Sequence, residues 1–519
     1  MPTEHRQGAP LQTERKPWPA LWALVIGFFM ILVDSTIVSI ANPAIMRDLG
    51  TDLTAVLWVT SAYLLAYAVP LLITGRLGDR FGPKNVYLVG LAVFTLSSLW
   101  CGLSDDITML IVARVVQGLG AALMTPQTMA VITRIFPPQQ RGAAMGLWGA
   151  VAGVATLVGP ILGGLLVDSL GWEWIFIVNV PVGVVAFILA VRLVPKLETH
   201  QHSFDWLGVV LSAVGMFLVI FGIQEGSTYD WGTITGPITV WGLIITGLVV
   251  LVAFVVWQRF NRKEPLLPLD LFKDRNFALS NGAITFVGFA IVAMPLPLAF
   301  YYQVARGLEP TQAALMLVPM AVVSGVMAPF IGRLTDRVDP KWIAFAGFTI
   351  TAGALSAMSL LITPDVELWV LLIPAAFLGL GLSGIWAPLA STATRNLPPQ
   401  QAGAGSGVYN MTRQFGSVFG AAAITALMNA RLEANLPGFA EAGGEQSSTA
   451  GQALPPQIAG GFTDAMSQSL WLPVIGFALG AVLVLFFAKP KVTVDWEHKG
   501  AAAWTDAAGP TTGSLSSVD

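Results

Sequence analysis

The sequence predicts an all-helical membrane protein with fourteen membrane-spanning helices. The chain has 519 residues, of which 55% are hydrophobic and only 11% are charged, and its mean hydropathy is +0.71. Soluble domains carry roughly 25% charged residues. Apolar segments of about 20 residues, long enough to cross a bilayer, recur along almost the whole chain. The composition therefore favours a polytopic membrane protein over a soluble or nucleic-acid-binding one.

The apolar segments divide the chain into five parts. Residues 1–17 form a polar tail, and six spans lie within 18–195. Two inserted spans with their linkers lie within 196–276, six more spans within 277–488, and 489–519 form a second tail. The predicted spans are, in order, 18–42, 55–75, 85–103, 107–132, 143–167, 174–194, 206–223, 236–257, 277–300, 312–332, 341–362, 367–392, 403–430 and 470–488.

Lys and Arg residues concentrate in alternate loops. With the N-terminus inside, 22 of the 27 basic residues fall in cytoplasmic segments or at the cytoplasmic ends of spans, whereas only Arg114 and Arg413 lie deep within spans. Because basic residues accumulate on the cytoplasmic side, this bias predicts a multi-pass protein of the plasma membrane with both termini in the cytoplasm. It also predicts that residues 431–469 form an external loop.

The two groups of six spans share motifs in register. GRLGDRFGPKN at 75–85 matches GRLTDRVDPKW at 332–342 in seven of eleven positions, at an offset of 257. TRIFPPQQRGAAMG at 133–146 matches TRNLPPQQAGAGSG at 394–407 in nine of fourteen positions, at an offset of 261. These repeats predict two similar six-helix bundles related by an axis normal to the membrane, which is a transporter architecture.

An aspartate, Asp34, lies in the middle of the first apolar span. A charge at this depth costs about 3 kcal/mol on insertion scales, and intramembrane carboxylates are functional candidates by default. Arg114 lies in the fourth span, and at about 1.5 Å rise per residue both side chains lie roughly 10–14 Å below the outer surface. We therefore expect the two charges to meet. Burial favours a neutral carboxyl group and a nearby arginine favours the carboxylate, so Asp34 is a candidate for taking up a proton outside and releasing it inside.

Both charges also have a structural interpretation. Asp34 can be a carboxylate hydrogen-bonded to a neighbouring hydroxyl or helix, and Arg114 can be a packing residue satisfied by backbone carbonyls. At the positions that the repeat relates to Asp34 and Arg114, the second half carries Ile291 and Ala375. Proton handling is therefore predicted for the first half alone.

Five motifs resemble those of the major facilitator superfamily, and within it the fourteen-helix drug:proton antiporters of the EmrB/QacA type. The likeness covers roughly residues 18–490. Pro83 stands where a basic residue is common in the family, and Glu173 where an arginine is usual. The motifs are LVDSTIVSIANPAI around Asp34, GRLGDRFGPK at 75–84, LIVARVVQGLGAA at 110–122, GVATLVGPILGG at 153–164 and GWEWIFIVNVPVG at 171–183.

The resemblance implies proton coupling by Asp34 and Arg114 and roles for two further groups of residues. One group is a latch that holds the halves together on the cytoplasmic side when the cavity faces outward. The other is an antiporter motif that marks exporters. A charged turn that fixes topology and a proline kink without directional meaning are the simpler interpretations. The latch residues are Gly75, Asp79, Arg80, Gly82, Asp336 and Arg337, and those of the antiporter motif are Gly153, Gly159, Pro160, Gly163 and Gly164.

The second charge within a span, Arg413, is predicted either to line a substrate cavity or to be satisfied by its polar neighbours Tyr409, Asn410 and Gln414. Mid-span methionine and tryptophan side chains suit an adaptable apolar pocket. The candidate cavity residues are Met124, Met294, Trp386, Asn410 and Arg413.

Together these patterns predict a proton-coupled secondary active exporter of hydrophobic or cationic drugs that works by alternating access. The proton is the coupling ion, and no other cofactor or metal is expected, since the chain has one cysteine and its four histidines lie in tails or polar loops. No H-E-x-x-H, Walker or G-x-S-x-G motif in a suitable context favours an enzyme. The expected partners are a lipophilic small molecule and membrane lipids, not nucleic acid, and a monomer is expected.

Three other functions stay open. The first is a dedicated exporter of one metabolite, antibiotic or lipid. The second is an uptake symporter, which the motif of the fifth span disfavours. The third is a non-transporting receptor on the same fold, which would not need Asp34.

Topology reporters fused after Gly443 and Gly500 test the span assignment. Because of the basic-residue bias, we expect an external signal from the fusion at Gly443 and a cytoplasmic signal from the one at Gly500. A cytoplasmic signal at Gly443, or an external one at Gly500, contradicts the fourteen-span topology.

Overall fold

The computed structural model describes residues 17–488 with short gaps. The chain divides into two units, residues 1–487 and 488–519. The predicted tails 1–17 and 489–519 lie outside the described residues, except for Pro17, which begins the first helix. The gaps are residue 52, residue 198, residues 200–204, residue 227, and residues 262–264, 398–400 and 437–453.

The first half consists of helices joined by short turns. Pro70 separates two helices that bend by 47° from one another, as expected where proline removes a backbone donor. α4 and α6, among others, begin with proline in their first turn, where no donor is needed. The helices are α1 (Pro17–Leu49), α2 (Leu53–Ala68), α3 (Leu71–Phe81), α4 (Pro83–Gly102), α5 (Ile107–Ile135), α6 (Pro138–Leu170), α7 (Trp174–Ile177) and α8 (Asn179–Leu193).

The inserted segment forms a helix pair. α9 (Trp206–Gln224) packs along α10 (Val240–Phe260), and a two-stranded hairpin of β1 (Thr233–Thr235) and β2 (Ile238–Thr239) joins them. A 3-10 helix, Leu269–Lys273, lies in the linker that follows.

The second half repeats the helical plan. The segment 431–469, predicted as a loop, is helical at both ends, because α17 continues to Asn435 and α18 begins at Pro456; residues 437–453 lie outside the description. The helices are α11 (Arg275–Ala293), α12 (Pro295–Phe300), α13 (Pro310–Leu315), α14 (Val318–Arg337), α15 (Pro340–Leu361), α16 (Leu368–Thr394), α17 (Ala402–Asn435), α18 (Pro456–Ser469) and α19 (Trp471–Leu485), with a π-helical turn at Tyr301–Ala305.

Twelve helices among the described residues are long and apolar enough to cross a membrane, and thirteen if the bent pair α2–α3 counts as one span. α6, a helix of 33 residues, covers the fifth predicted span. It is not among the twelve membrane-spanning candidates, and several of its side chains are not among those that the structure describes. The count of fourteen spans stays a prediction.

Large apolar side chains cover the outer surface of these helices. On α10, for example, Val249 and Val252 are 62% and 64% exposed, while Gly247 and Phe254 are buried. A soluble helix shows the opposite pattern, with its polar face outward. Bilayer lipid is the environment that suits such a surface.

The two halves meet along what we call the seam. α17 of the second half packs on α3 and α5, and α6 of the first half packs on α14 and α16. Glycines allow the closest contacts, since a Cβ atom on Gly75 would lie 2.4 Å from the carbonyl oxygen of Gly403, and one on Gly332 would lie 2.7 Å from that of Gly142. The repeat relates these two contacts to each other.

The linker after α10 is fixed to the first half. The Arg76 guanidinium donates hydrogen bonds to the carbonyl oxygens of Pro265 and Leu266. Leu266 packs with Leu72 of α3 and with Val408 of α17. The inserted pair is therefore tied to the predicted cytoplasmic end of the seam.

Candidate functional site

Asp34 of α1 is completely buried, with 0% of its side chain exposed. One carboxylate oxygen accepts a hydrogen bond from Nη1 of Arg114 at 2.5 Å. The other accepts from the amide nitrogens of Gln117 at 2.8 Å and Asn179 at 3.0 Å. The predicted meeting of Asp34 with Arg114 thus occurs in the structure, and three donors from α5 and α8 satisfy the carboxylate.

Arg114 is equally enclosed. Its Nε donates to the carbonyl oxygen of Val59 at 3.0 Å, and its Nη1 also donates to Oε1 of Gln117 at 2.7 Å. The rings of Tyr63 and Phe176 lie 4.0 and 5.6 Å from the guanidinium carbon, within the range of cation–π contacts. Its Nη2 has no acceptor among the described residues. Arg114 therefore combines the carbonyl contact of a packing arginine with the ion pair expected of a functional one.

Two residues of this network, Gln117 and Asn179, were not among the residues predicted from the sequence. Asn179 also donates to the hydroxyl oxygen of Ser98 on α4, which itself donates to the carbonyl oxygen of Phe176. Gln117 lies one helical turn after Arg114, a spacing that places both on one face. This spacing could have indicated Gln117 from the sequence, and the place of Asn179 within the GWEWIFIVNVPVG motif could have indicated Asn179.

The hydroxyls of Ser35 and Thr36 donate to backbone carbonyls of their own helix, not to Asp34. This local contact is common for such residues inside helices. Asp34 is thus held by other helices, and its network joins α1, α4, α5 and α8. A buried ion pair that loses one partner costs about 3–5 kcal/mol, because the remaining charge is left unpaired.

The antiporter motif packs beside this network. A Cβ atom on Gly159 of α6 would lie 2.0 Å from Oγ1 of Thr36 and 3.2 Å from the carbonyl oxygen of Val33. Thr36 and Val33 flank Asp34 on α1. Gly163 is buried, whereas a Cβ atom on Gly164 would meet nothing within 4 Å.

Gly153 and Pro160, the other members of the motif, lie within the continuous helix α6, and their side-chain surroundings lie outside the described part of the chain. The described contacts therefore link the motif to Asp34 through Gly159.

Asp79 binds the start of a helix in the opposite half. Its two carboxylate oxygens accept from the backbone N–H groups of Gly403 and Ala404 at 3.0 Å each, at the N-terminus of α17. One oxygen also accepts from Nη2 of Arg134 at 2.6 Å. Negative charge is stabilised at a helix N-terminus, so this contact closes the seam at the predicted cytoplasmic side.

Asp336 makes the related contact in the other direction. Its carboxylate oxygens accept from the backbone N–H groups of Gly142 and Ala143 at 2.7 and 3.0 Å, near the start of α6. The repeat relates Arg395 to Arg134, but among the described residues Asp336 has no ion pair within 4 Å. Each half therefore binds the other, and the first contact carries the additional charge pair.

The remaining latch residues lie at the loop surfaces. The guanidinium of Arg80 lies 5.3 Å from the ring of Phe81, and Arg337 is exposed. Gly82 adopts a φ of +87°, which glycine tolerates best, directly before α4. In the second loop Asp339 occupies the position of Gly82, has a φ of −58° and caps α15 instead.

The candidate cavity residues do not form one cluster. Met124 is 1% exposed and packs inside the first bundle against Gly27 and Gly90, so it does not face the seam. Met294 is buried at the break between α11 and α12. Trp386 lies on the seam, with its ring centroid 6.1 Å from that of Trp148.

Asn410 and Arg413 lie on α17. One alternative from the sequence was that polar neighbours such as Tyr409 and Asn410 satisfy Arg413. The described residues do not show these contacts. Tyr409 Oη, Asn410 Oδ1 and Arg413 Nε each lack a hydrogen-bond partner among them.

The sequence model of the Major Facilitator Superfamily matches residues 24–421. A solved structure of a proton:xylose symporter from that superfamily covers 92% of this chain and 96% of its own with a TM-score of 0.61, at 12% identity. With its two repeated bundles and helical fold, this chain belongs to the major facilitator superfamily. It is a membrane transporter and not an enzyme.

Two relatives in sequence span most of the chain. An uncharacterized MFS-type transporter of Mycobacterium tuberculosis is 51% identical over 94% of this chain and 83% of its own length. The tetracenomycin C resistance and export protein of Streptomyces glaucescens is 35% identical over 85% of this chain and 83% of its own length.

Replacing Gly159 and Gly164 by alanine tests the contact of α6 with α1. Gly159→Ala should lower the free energy of unfolding by about 1–3 kcal/mol, the range for overpacking, and reduce transport, because α1 must shift beside Asp34. Gly164→Ala is the matched control and should be neutral or slightly stabilising, since alanine favours helix over glycine. Thermal melts and efflux assays give the two readouts; equal effects of both substitutions contradict the contact.

The two latches should differ in strength. Asp79→Asn should slow transport more than Asp336→Asn, because only Asp79 is fully buried and paired with an arginine. Equilibrium binding of a lipophilic dye should persist in both variants, as the latches lie at the predicted cytoplasmic end of the seam. Loss of dye binding by a folded Asp79→Asn variant contradicts a gating role.

Proposed function

We propose that this transporter is a proton-coupled exporter of lipophilic small molecules. The observation that carries the proposal is Asp34, a carboxylate with 0% exposure that is bonded to Arg114, Gln117 and Asn179 inside the membrane. Intramembrane carboxylates of this kind commonly form proton relays in transporters.

Protonation of Asp34 removes one charge of a desolvated pair. The neutral carboxyl group no longer attracts Arg114. Its protonated oxygen becomes a hydrogen-bond donor, although the groups around it are donors as well. Arg114 remains held by Val59 and Gln117. The contact between α1 and α5 therefore weakens when the proton binds, and the equilibrium between inward-open and outward-open states shifts.

The direction of transport has two supports. Gly159 places the antiporter motif against α1 next to Asp34, and this motif marks exporters in the antiporters that the chain resembles. The Streptomyces relative is described as a resistance and export protein.

The proposal includes the finer features expected from the sequence. These are fourteen spans, a plasma-membrane location, both termini in the cytoplasm, a monomer, and the proton as sole coupling ion. A dedicated exporter of one compound is the second candidate, because the Streptomyces relative is named for tetracenomycin C.

Asp34→Asn tests the proposal. A membrane potential contributes about 2.3 kcal/mol per charge per 100 mV and a pH unit about 1.4 kcal/mol, so one proton sustains a gradient of a few hundred-fold for a neutral substrate. Asparagine keeps the size of the side chain but cannot ionise. We expect the variant to lose uphill efflux in a pump-deficient host while passive exchange persists.

The matched control is Asp48→Asn on the same helix, an exposed carboxylate paired with Arg47 at the surface. It should pump normally. If Asp34→Asn reaches normal expression and still pumps uphill in a protonophore-sensitive manner, the proton site lies elsewhere.

A further inference from the structure

Arg413 is a cation that has no hydrogen-bond or ion-pair partner among the described residues. It lies eleven residues after the start of α17 at Ala402, about 16 Å along the helix and near mid-membrane at 1.5 Å per residue. Its Nε is buried, and no described residue accepts a hydrogen bond or forms an ion pair with its guanidinium. The buried carboxylate of Asp34 is already bonded to Arg114.

Arg413 lies on the side of α17 between its contact with the first half and its contact with α11. Gly403 and Gly407 of α17 lie against α3 of the first half, and Gly416 and Gly420 lie against the backbone of α11. With 3.6 residues per turn, Arg413 falls between these two faces. This is the side of α17 on which the two halves, and therefore the transport path, meet.

Three neighbours of Arg413 are also unsatisfied. Ser406, Tyr409 and Asn410 are each 0% exposed, and Ser406 Oγ, Tyr409 Oη and Asn410 Oδ1 have no hydrogen-bond partner among the described residues. Buried polar groups in folded proteins are almost always hydrogen-bonded. These four unpartnered polar atoms lie within two turns of one helix, and three of the groups can donate to a ligand placed beside them.

The repeat shows that this charge is specific to the second half. At the offset of 261 residues, Arg413 corresponds to Ala152 and Tyr409 corresponds to Trp148. Deep within its predicted spans, the first half thus carries the balanced pair of Asp34 and Arg114, and the second half carries the positive charge of Arg413.

Aromatic side chains line the same seam. The rings of Phe28 and Trp148 stack at 4.6 Å between centroids, and Trp386 meets Trp148 edge-on at 6.1 Å. Trp148, Trp386 and Tyr409 belong to or pack against one apolar cluster that spans both halves. Such surfaces suit flat apolar molecules.

We infer that Arg413, with the hydroxyls of Tyr409 and Ser406, recognises a negative charge, and that the transported substrates are lipophilic anions with an aromatic or apolar body. An unpaired guanidinium in a low-dielectric setting forms strong charge-assisted hydrogen bonds with anions. It repels cations, so the site does not suit the cationic drugs that the sequence resemblance implies. The inference deepens the proposed function and rests on it for the direction of transport.

Anion export has an electrical consequence under the proposed proton exchange. One proton entering and one monovalent anion leaving move two positive charges inward per cycle, whereas exchange of a proton for a monovalent cation moves none. An inside-negative membrane potential therefore assists anion export twice.

Tetraphenylborate and tetraphenylphosphonium test the charge preference, because the two ions have nearly the same size and shape and opposite charge. Equilibrium binding of each is measured on the purified full-length protein, with empty micelles as the blank. We expect tetraphenylborate to bind about tenfold more tightly or better, because the guanidinium of Arg413 attracts the anion and repels the cation. This assay uses no proton gradient, so its outcome is independent of whether Asp34 couples transport to protons.

Variants then assign the preference to one residue. Arg413→Gln should weaken tetraphenylborate binding about tenfold and leave tetraphenylphosphonium binding unchanged or tighter. Arg413→Lys should keep the preference for the anion. Arg431→Gln is the matched control, since Arg431 is exposed near the outer end of the same helix.

Two results overturn the inference. One is equal or tighter binding of tetraphenylphosphonium by the wild-type protein, a comparison that needs no variant to fold. The other is unchanged binding of tetraphenylborate by a folded Arg413→Gln variant.

Discussion

The ion pair between Asp34 and Arg114 is the interaction on which the rest of the first half depends. Both side chains are fully buried, and a desolvated charge is stable only when it is paired and hydrogen-bonded. The partners come from different helices, so the pair fixes α1 against α5, and Asn179 adds α8. A proton that binds to Asp34 alters a contact between helices and not merely the charge of one residue.

The scaffold is symmetric, whereas the charges are not. Asp79 and Asp336 each bind backbone N–H groups at the start of a helix in the opposite half. These contacts use the free backbone N–H groups that every helix has at its N-terminus. Both halves can therefore make them. The intramembrane charges of Asp34, Arg114 and Arg413 have no charged counterpart at the related positions. In the mechanism that we propose, one half therefore handles the proton and the other binds the substrate.

Much of this organisation could be predicted from the sequence, because charges inside apolar spans are costly and therefore stand out. The depth of Asp34 and Arg114 follows from counting residues along their helices, and their contact follows from equal depth. Gln117 and Asn179 are neutral, so no energetic cost draws attention to them, and only their spacing from other residues places them. Met124 looked like a cavity residue because spacing alone does not tell which face of a helix meets the seam. The helical start of α18 was missed because its polar residues resemble a loop.

Proton release is the most direct test of the role of Asp34. Substrate is added to purified protein in weakly buffered solution, and the released protons are counted. Wild-type protein should release protons when it binds substrate, as linkage between two competing ligands requires, and Asp34→Asn should release none while still binding substrate. Proton release by Asp34→Asn at the wild-type level would contradict the assignment of Asp34 as the coupling residue.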